Sequence, residues 1–243
     1  MIIFLSTTWR SNRQVESYDR IITMSTRKEV FTNGEFFHIY NRGVDKRIIF
    51  TDGYDMKRFF KSLIEFNTID PIGSLYENSF RELGGSTAKL ENGLVNIIAY
   101  CLNPNHFHLI FEQLTDGGIS ELMKRLGGYT WYYNNKHKRS GSLFQGKFKA
   151  VHIDSNEYLL HVSAYVNLNN RVHQLGGSTA KSIESMSSWG EYIDKKSKGI
   201  CEKDVILGQF RSVGEYKDFA LSSLEAIVER KVELKNIGDF LLE

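Results

Sequence analysis

The spacing of apolar and polar positions changes several times along this chain, and each change marks an element. The run from Glu35 to Asn41 suits a strand. Arg42-Gly43 opens a loop, and Arg47 to Phe50 reads as a short extended piece. From Tyr54 to Asn67 the period lengthens. Met56, Phe59, Phe60, Leu63 and Ile64 then form a stripe along one side of a helix, with Asp52 placed to cap its start. Asp70-Pro-Ile-Gly73 breaks the chain. Asn92 to Leu102 and His106 to Gln113 read as a hairpin joined at Asn103-Pro104-Asn105, where Pro104 pre-sets the turn. Gly118 to Tyr133 reads as helix, with an interruption at Gly127-Gly128. Leu143 to Ile153 predicts another strand, and Asp154 or Ser155 caps a helix over Tyr158 to Asn169. Trp189, Tyr192, Ile193, Val205, Ile206 and Leu207 follow, and an amphipathic helix runs from about Val213 to Lys235. The sum is an α+β fold, an antiparallel sheet with helices packed against it.

Two of these elements carry chemistry. His106 and His108 lie two residues apart on a predicted strand, so both imidazoles share one face while Phe107 turns to the other. Neutral imidazole is the commonest side-chain ligand of transition metals, and two on one strand make half of a metal site. Some 60 residues later, His161, Tyr165 and Asn169 stand at i, i+4 and i+8, which lines them along one side of the predicted helix. A tyrosine one turn before an asparagine sets a nucleophile beside a neutral oxygen donor. The same spacing also suits core aromatics followed by a helix-ending Asn.

Charge and composition refine this picture. The chain has 243 residues and a net charge of +2, so no global basic field marks a nucleic-acid binder. The distribution is more telling. Between Lys124 and His152 there is no Asp or Glu, while Lys136, Lys138, Arg139, Lys147 and Lys149 alternate with Tyr129, Trp131, Tyr132, Tyr133, Phe144 and Phe148. Cations neutralise phosphates and aromatic faces stack on unpaired bases, so this mixture suits single-stranded or hairpin DNA. Cys101 and Cys201 have no metal-ligand spacing and suit free thiols in a reducing cytoplasm. No apolar run is long enough to span a membrane, and Arg10 and Arg13 interrupt the short apolar start.

Four blocks, in order, resemble those of the HUH single-tyrosine endonucleases, above all the insertion-sequence and REP-associated tyrosine transposases. They are Phe36-Phe-His-Ile-Tyr-Asn-Arg-Gly43, Leu102-Asn-Pro-Asn-His-Phe-His-Leu109, Gly141-Ser-Leu-Phe-Gln-Gly-Lys-Phe-Lys149 and Ala164-Tyr-Val-Asn-Leu-Asn169. The likeness spans about residues 34–173. One position departs: the family often has Asn-Pro after the tyrosine helix, where this chain has Asn169-Asn170. The resemblance implies a ferredoxin-like sheet, Tyr165 as nucleophile, and His106, His108 and Asn169 holding Mg²⁺ or Mn²⁺. It also implies a 5′-phosphotyrosine intermediate on hairpin-bearing DNA. Arg42, Lys136, Lys138, Arg139, Lys147 and Lys149 are the expected DNA contacts. Either a monomer or a homodimer suits the family. Two alternatives stand beside this reading: a regulatory DNA-binding protein that has lost cleavage, and a replication-initiator or relaxase-type nickase.

The expected organisation is an extension over residues 1–23, a catalytic domain over 24–175 and a helical appendage over 176–243. The heptapeptide Leu83-Gly-Gly-Ser-Thr-Ala-Lys89 recurs at Leu175–Lys181, and its Gly and Ser content predicts loops at both places.

Overall fold

The computed structural model describes residues 30–73, 93–174, 184–194, 197 and 199–240, with side chains described except at 173–174 and 231–240. The extension over 1–23 and both heptapeptide copies lie outside the described residues. In chain order the elements are β1 (Phe36–Arg42), α1 (Gly53–Glu65), β2 (Val95–Asn103), β3 (His106–Gln113), α2 (Gly118–Leu126) and α3 (Tyr129–Lys136). There follow β4 (Lys149–Ile153), α4 (Asn156–Asn167), α5 (Asn169–Gln174), β5 (Met186–Ser187), α6 (Trp189–Ile193), α7 (Asp204–Leu207) and α8 (Val213–Phe240). The sheet order is β4-β1-β3-β2-β5, and every pairing is antiparallel. The first four strands with α1 and α2–α3 make the βαββαβ path of a ferredoxin-like fold.

Local chemistry explains the boundaries. Asp52 accepts from the Asp55 backbone N–H and starts α1, and Ser155 does the same for Tyr158 at the start of α4. The helix expected from Gly118 to Tyr133 divides at Gly127-Gly128, as the glycines suggested. The strand expected from Leu143 is shorter. Residues 143–148 are irregular, with Gly146 at φ +76°, and only Phe144 bridges to Gly43 before β4 begins at Lys149. Arg47 to Phe50 does not join the sheet; Ile49 and Phe50 donate their backbone N–H groups to the Pro104 carbonyl instead.

The sheet is buried on both faces. On one, Phe37, Ile39, Phe107, Leu109 and Phe111 meet α1, α2 and α3 through Phe59, Leu63, Leu122 and Tyr129. On the other, Ile98, Cys101 and Ile110 meet α4, α6 and α8 through Tyr158, Val162, Tyr192 and Tyr216. Each fully buried side chain of this size contributes about 1.5–3 kcal/mol, so neither layer is dispensable. The tail beyond residue 184 belongs to this architecture: β5 pairs with β2, and Tyr192 donates to the Ile98 carbonyl.

One irregularity in β2 decides which side chains reach which face. The β2–β3 register shifts between Ile97 and Ala99. Val95 and Ile97 face the α1–α3 layer, whereas Ala99 and Cys101 face the α4–α8 layer. A regular strand would have kept odd-numbered residues on one side; the extra residue reverses their parity. Asn103, directly across from His106 in the register, faces the same way as that histidine.

Candidate active site

The two histidines stand at the start of β3, on the face covered by α4. In the β1–β3 register Tyr40 lies opposite His108 and Arg42 opposite His106. Tyr165 projects from α4 onto this face. Its ring lies edge-on to His108 with centroids 5.3 Å apart, and edge-on to His38 at 6.1 Å. Asn169 is completely buried, and its Oδ1 lies 3.1 Å from His106 Nε2. His106, His108, Tyr165 and Asn169, drawn from two distant segments, are thus neighbours in a single chain.

The helical stripe expected of His161, Tyr165 and Asn169 does not survive intact. α4 ends at Asn167, and Leu168 caps it by donating to the Ala164 carbonyl. The Leu168 carbonyl then accepts from Arg171 and Val172, starting α5. Asn169 therefore opens a second helix rather than continuing the first. His161 faces away from the histidine pair, with Nδ1 3.2 Å from Ser223 Oγ of α8 and its ring against Phe219. Tyr158 is core, at 2% exposure.

Hydrogen bonds fix the state of His106. Its Nδ1 lies 2.6 Å from Asn105 Oδ1, an atom that can only accept, so the neutral ring carries its proton there. Its Nε2 is then a lone pair. That lone pair faces Asn169 Oδ1, also a lone-pair atom, and Asn103 Nδ2 reaches both, at 2.9 Å and 2.8 Å. Two acceptors at this distance, with no proton to share, are the donor set a cation wants. Asn103 is held in turn by Ser185, whose hydroxyl donates to its Oδ1.

His108 is set differently. Its Nδ1 lies 2.9 Å from Nε2 of His38, a buried histidine on β1. Burial pulls the His38 imidazole down to about 3, so it is neutral at physiological pH. His38, Tyr40 and His108 form a group of close rings, at 5.1 Å for His38–Tyr40 and 5.7 Å for Tyr40–His108. Burial pushes the Tyr165 phenol up to about 12, against an opposing pull from the Asn169 side chain.

His38, Asn103 and Asn105 escaped the sequence reading. The signal for His38 was its parity: on β1 it alternates with apolar Phe37 and Ile39 and shares a face with Tyr40 and Arg42.

The basic residues fare unevenly. Lys136 lies at the surface with its charge already paired: its Nζ bonds Asp52 Oδ2 at 2.8 Å and Asp55 Oδ1 at 2.7 Å. Arg139 donates to the Ser142 carbonyl and lies over the Tyr133 ring. Lys138 and Lys147 are exposed. Arg42 donates from Nε to Gln145 Oε1 at 2.6 Å, which joins the end of β1 to the loop before β4. Tyr129 and Tyr133, expected to stack on bases, are core.

Lys136 also bears on a second cluster. Asp52, Asp55 and His137 bring ligand-type atoms within 4.8 Å of one another. The Lys136 ammonium sits among them, and His137 Nε2 lies 2.8 Å from Asp55 Oδ2. A resident ammonium supplies the positive charge that a metal ion would bring.

No helix among the described residues is long and apolar enough to cross a membrane. No curated protein matches the chain. A solved structure of a REP-associated tyrosine transposase bound to a REP hairpin is 13% identical, with a TM-score of 0.45 over 73% of this chain and 90% of that one. Residues 78–169 match the family model described as "Transposase IS200 like". That stretch contains His106, His108, Tyr165 and Asn169.

Proposed function

We propose that this protein is a transposase that cuts and rejoins single-stranded, hairpin-bearing DNA, with Tyr165 as nucleophile. The observation that carries the reading is the meeting of Tyr165 with His108, and of Asn169 with His106, inside one chain. It supports a tyrosine that acts on the same chain's histidines.

His106 Nε2, His108 and Asn169 Oδ1 would hold a divalent cation. When bound, it supplies Lewis-acid polarisation of a non-bridging phosphate oxygen. Two imidazoles favour Mn²⁺ over Mg²⁺, which prefers oxygen donors.

The Tyr165 oxygen forms a bond to phosphorus as the bond from phosphorus to the 3′ oxygen breaks. The phenol proton leaves to solvent, and the departing oxygen takes one up as a 3′-OH. The 5′ phosphate stays on Tyr165. No water is consumed, so a 3′-OH can reverse the step and join strands. A phenol at about 12 is almost wholly protonated at neutral pH, so the tyrosine needs nearby positive charge to react. Arg42, paired across from His106, and exposed Lys147 are placed to meet phosphates at the rim.

The test is a covalent-adduct assay with MnCl₂ and labelled single-stranded hairpins taken from the DNA flanking the gene. Tyr165→Phe should lose the denaturant-resistant adduct completely while still shifting the DNA on a native gel, and Tyr158→Phe should behave as wild type. An adduct that persists in Tyr165→Phe overturns the nucleophile. Wild-type protein that shifts the DNA and never attaches to it would favour the regulatory alternative.

A further inference from the structure

We infer that His38 is a positioning residue for the metal site: its Nε2 accepts the Nδ1 proton of His108 and so keeps the His108 Nε2 lone pair for the cation. This rests on the reading of His106 and His108 as ligands.

The argument begins from a symmetry between the two histidines. An imidazole can give only one nitrogen to a metal, and the other nitrogen's partner decides which tautomer is present. His106 has its Nδ1 proton fixed by Asn105 Oδ1 at 2.6 Å. His108 faces a different kind of partner at the same atom, His38 Nε2 at 2.9 Å. Exactly one proton lies between two neutral rings in such contact. If His38 donated it, His108 would carry its own proton on Nε2 and could not ligate through that atom. If His38 accepts it, both histidines of β3 present the same atom, Nε2, and both are held through Nδ1.

The fold fixes this contact firmly. His38 is 4% exposed, so water does not compete for its nitrogen. It sits on β1, an interior strand that pairs with both β3 and β4. Its ring is flanked by Tyr40 on one side and by the edge of Tyr165 on another. On this face β1 contributes Tyr40 and Arg42, β4 contributes Lys149 opposite Tyr40, and the facing elements contribute Tyr165 and His108. A leucine at position 38 would fill much of the volume and offer no acceptor. A glutamine would return an amide oxygen that can accept.

Two measurements test the inference on the whole protein. The first is the ¹⁵N shift pattern of His108 in metal-free protein. Wild type should show the proton on Nδ1, and His38→Leu should show loss of that preference. A His108 proton on Nε2 in wild type overturns the inference. The second is Mn²⁺ affinity, read from the free-ion signal in electron paramagnetic resonance. His38→Leu should weaken binding ~10–100-fold, the usual effect of removing such a partner, and His38→Gln should recover most of it. His106→Ala separates the two levels of the argument. If it abolishes binding while His38→Leu and His38→Gln both bind as wild type, the histidine site stands and the role of His38 falls. If His106→Ala itself binds Mn²⁺ as wild type, the ligand reading falls and takes this inference with it.

Discussion

Two clusters in this molecule gather histidine with oxygen donors, and they are built on opposite principles. Around Asp55, every charge has its answer within the chain. The buried carboxylate accepts from the Thr51 backbone, Lys136 and His137, while Asp52 takes the other side of the Lys136 ammonium. Burial alone would weaken that ammonium, but its bonds to Asp52 and Asp55 outweigh the penalty and lift it above the usual lysine range. Around His106 the hydrogen-bond partners Asn103, Asn105 and Asn169 are neutral amides. Lone pairs of His106 and Asn169 face each other, and the amide nitrogen of Asn103 reaches both. The first cluster has the richer ligand inventory and the poorer claim to a ligand. Closeness of ligand-type atoms does not by itself signal binding, since a resident ammonium already holds the first cluster together.

The comparison can be broken by crossing mutations at the two clusters. His106→Ala should abolish measurable Mn²⁺ binding with little loss of stability, since the residue is half-buried and its surroundings are polar. Asp55→Ala should do the reverse. Removing one member of a buried ion-pair network costs about 3–5 kcal/mol, which urea denaturation would detect, while Mn²⁺ affinity should hold. If Asp55→Ala loses the metal and His106→Ala keeps it, the two clusters have been assigned the wrong way round.

A smaller effect tests the packing that presents Tyr165. Burial lowers the His161 imidazole to about 4, so the folded protein binds its proton less readily than the unfolded chain, whose value is 6.5. The stabilisation is therefore complete above about pH 6.5 and is lost as the pH falls towards 4. At pH 5 the loss is about 2 kcal/mol. Denaturation of wild type and His161→Phe at pH 7 and pH 5 should show a shallower pH dependence in the variant. Equal slopes would mean that His161 is not the group being titrated. The smallest effect belongs to the rim. Arg42→Ala should weaken hairpin binding only a few-fold and reduce the salt dependence by about one phosphate contact, measured by a binding titration across salt concentrations. An unchanged salt slope would remove Arg42 from the interface.

Much of this was legible in the chain, for definable reasons. The hairpin and its histidines could be read because side-chain parity on a strand is strict and the Asn103-Pro104-Asn105 turn marks the register. Tyr165 and Asn169 could be paired because four residues make roughly one turn. The break at Leu168 was invisible, since it depends on a fully buried leucine serving as the end of one helix and the start of the next. His38 was missed because its parity with Tyr40 and Arg42 marks a face but no partner; its contact with His108 arises only when β1 pairs with β3. The ion pairs of Lys136 were hidden for the complementary reason. Its charge was visible, but Asp52 and Asp55 lie over 80 residues earlier and only the fold of α1 against α3 delivers them. The two-residue β5 is too short to announce itself.

The irregularity in β2 shields the histidine end of the sheet from change farther up the strand. Ile97 pairs with Phe111 and Ala99 with the next residue back, Ile110, so Ile98 is the extra residue. Its loss would restore plain alternation: Ile97 would keep the α1 side, and Asn103 would stay across from His106. Such a one-codon deletion would remove a buried isoleucine and leave the imidazoles furnished as before. An added residue between Ala99 and Asn103 would be the harmful change, because it would fall between the bulge and the turn.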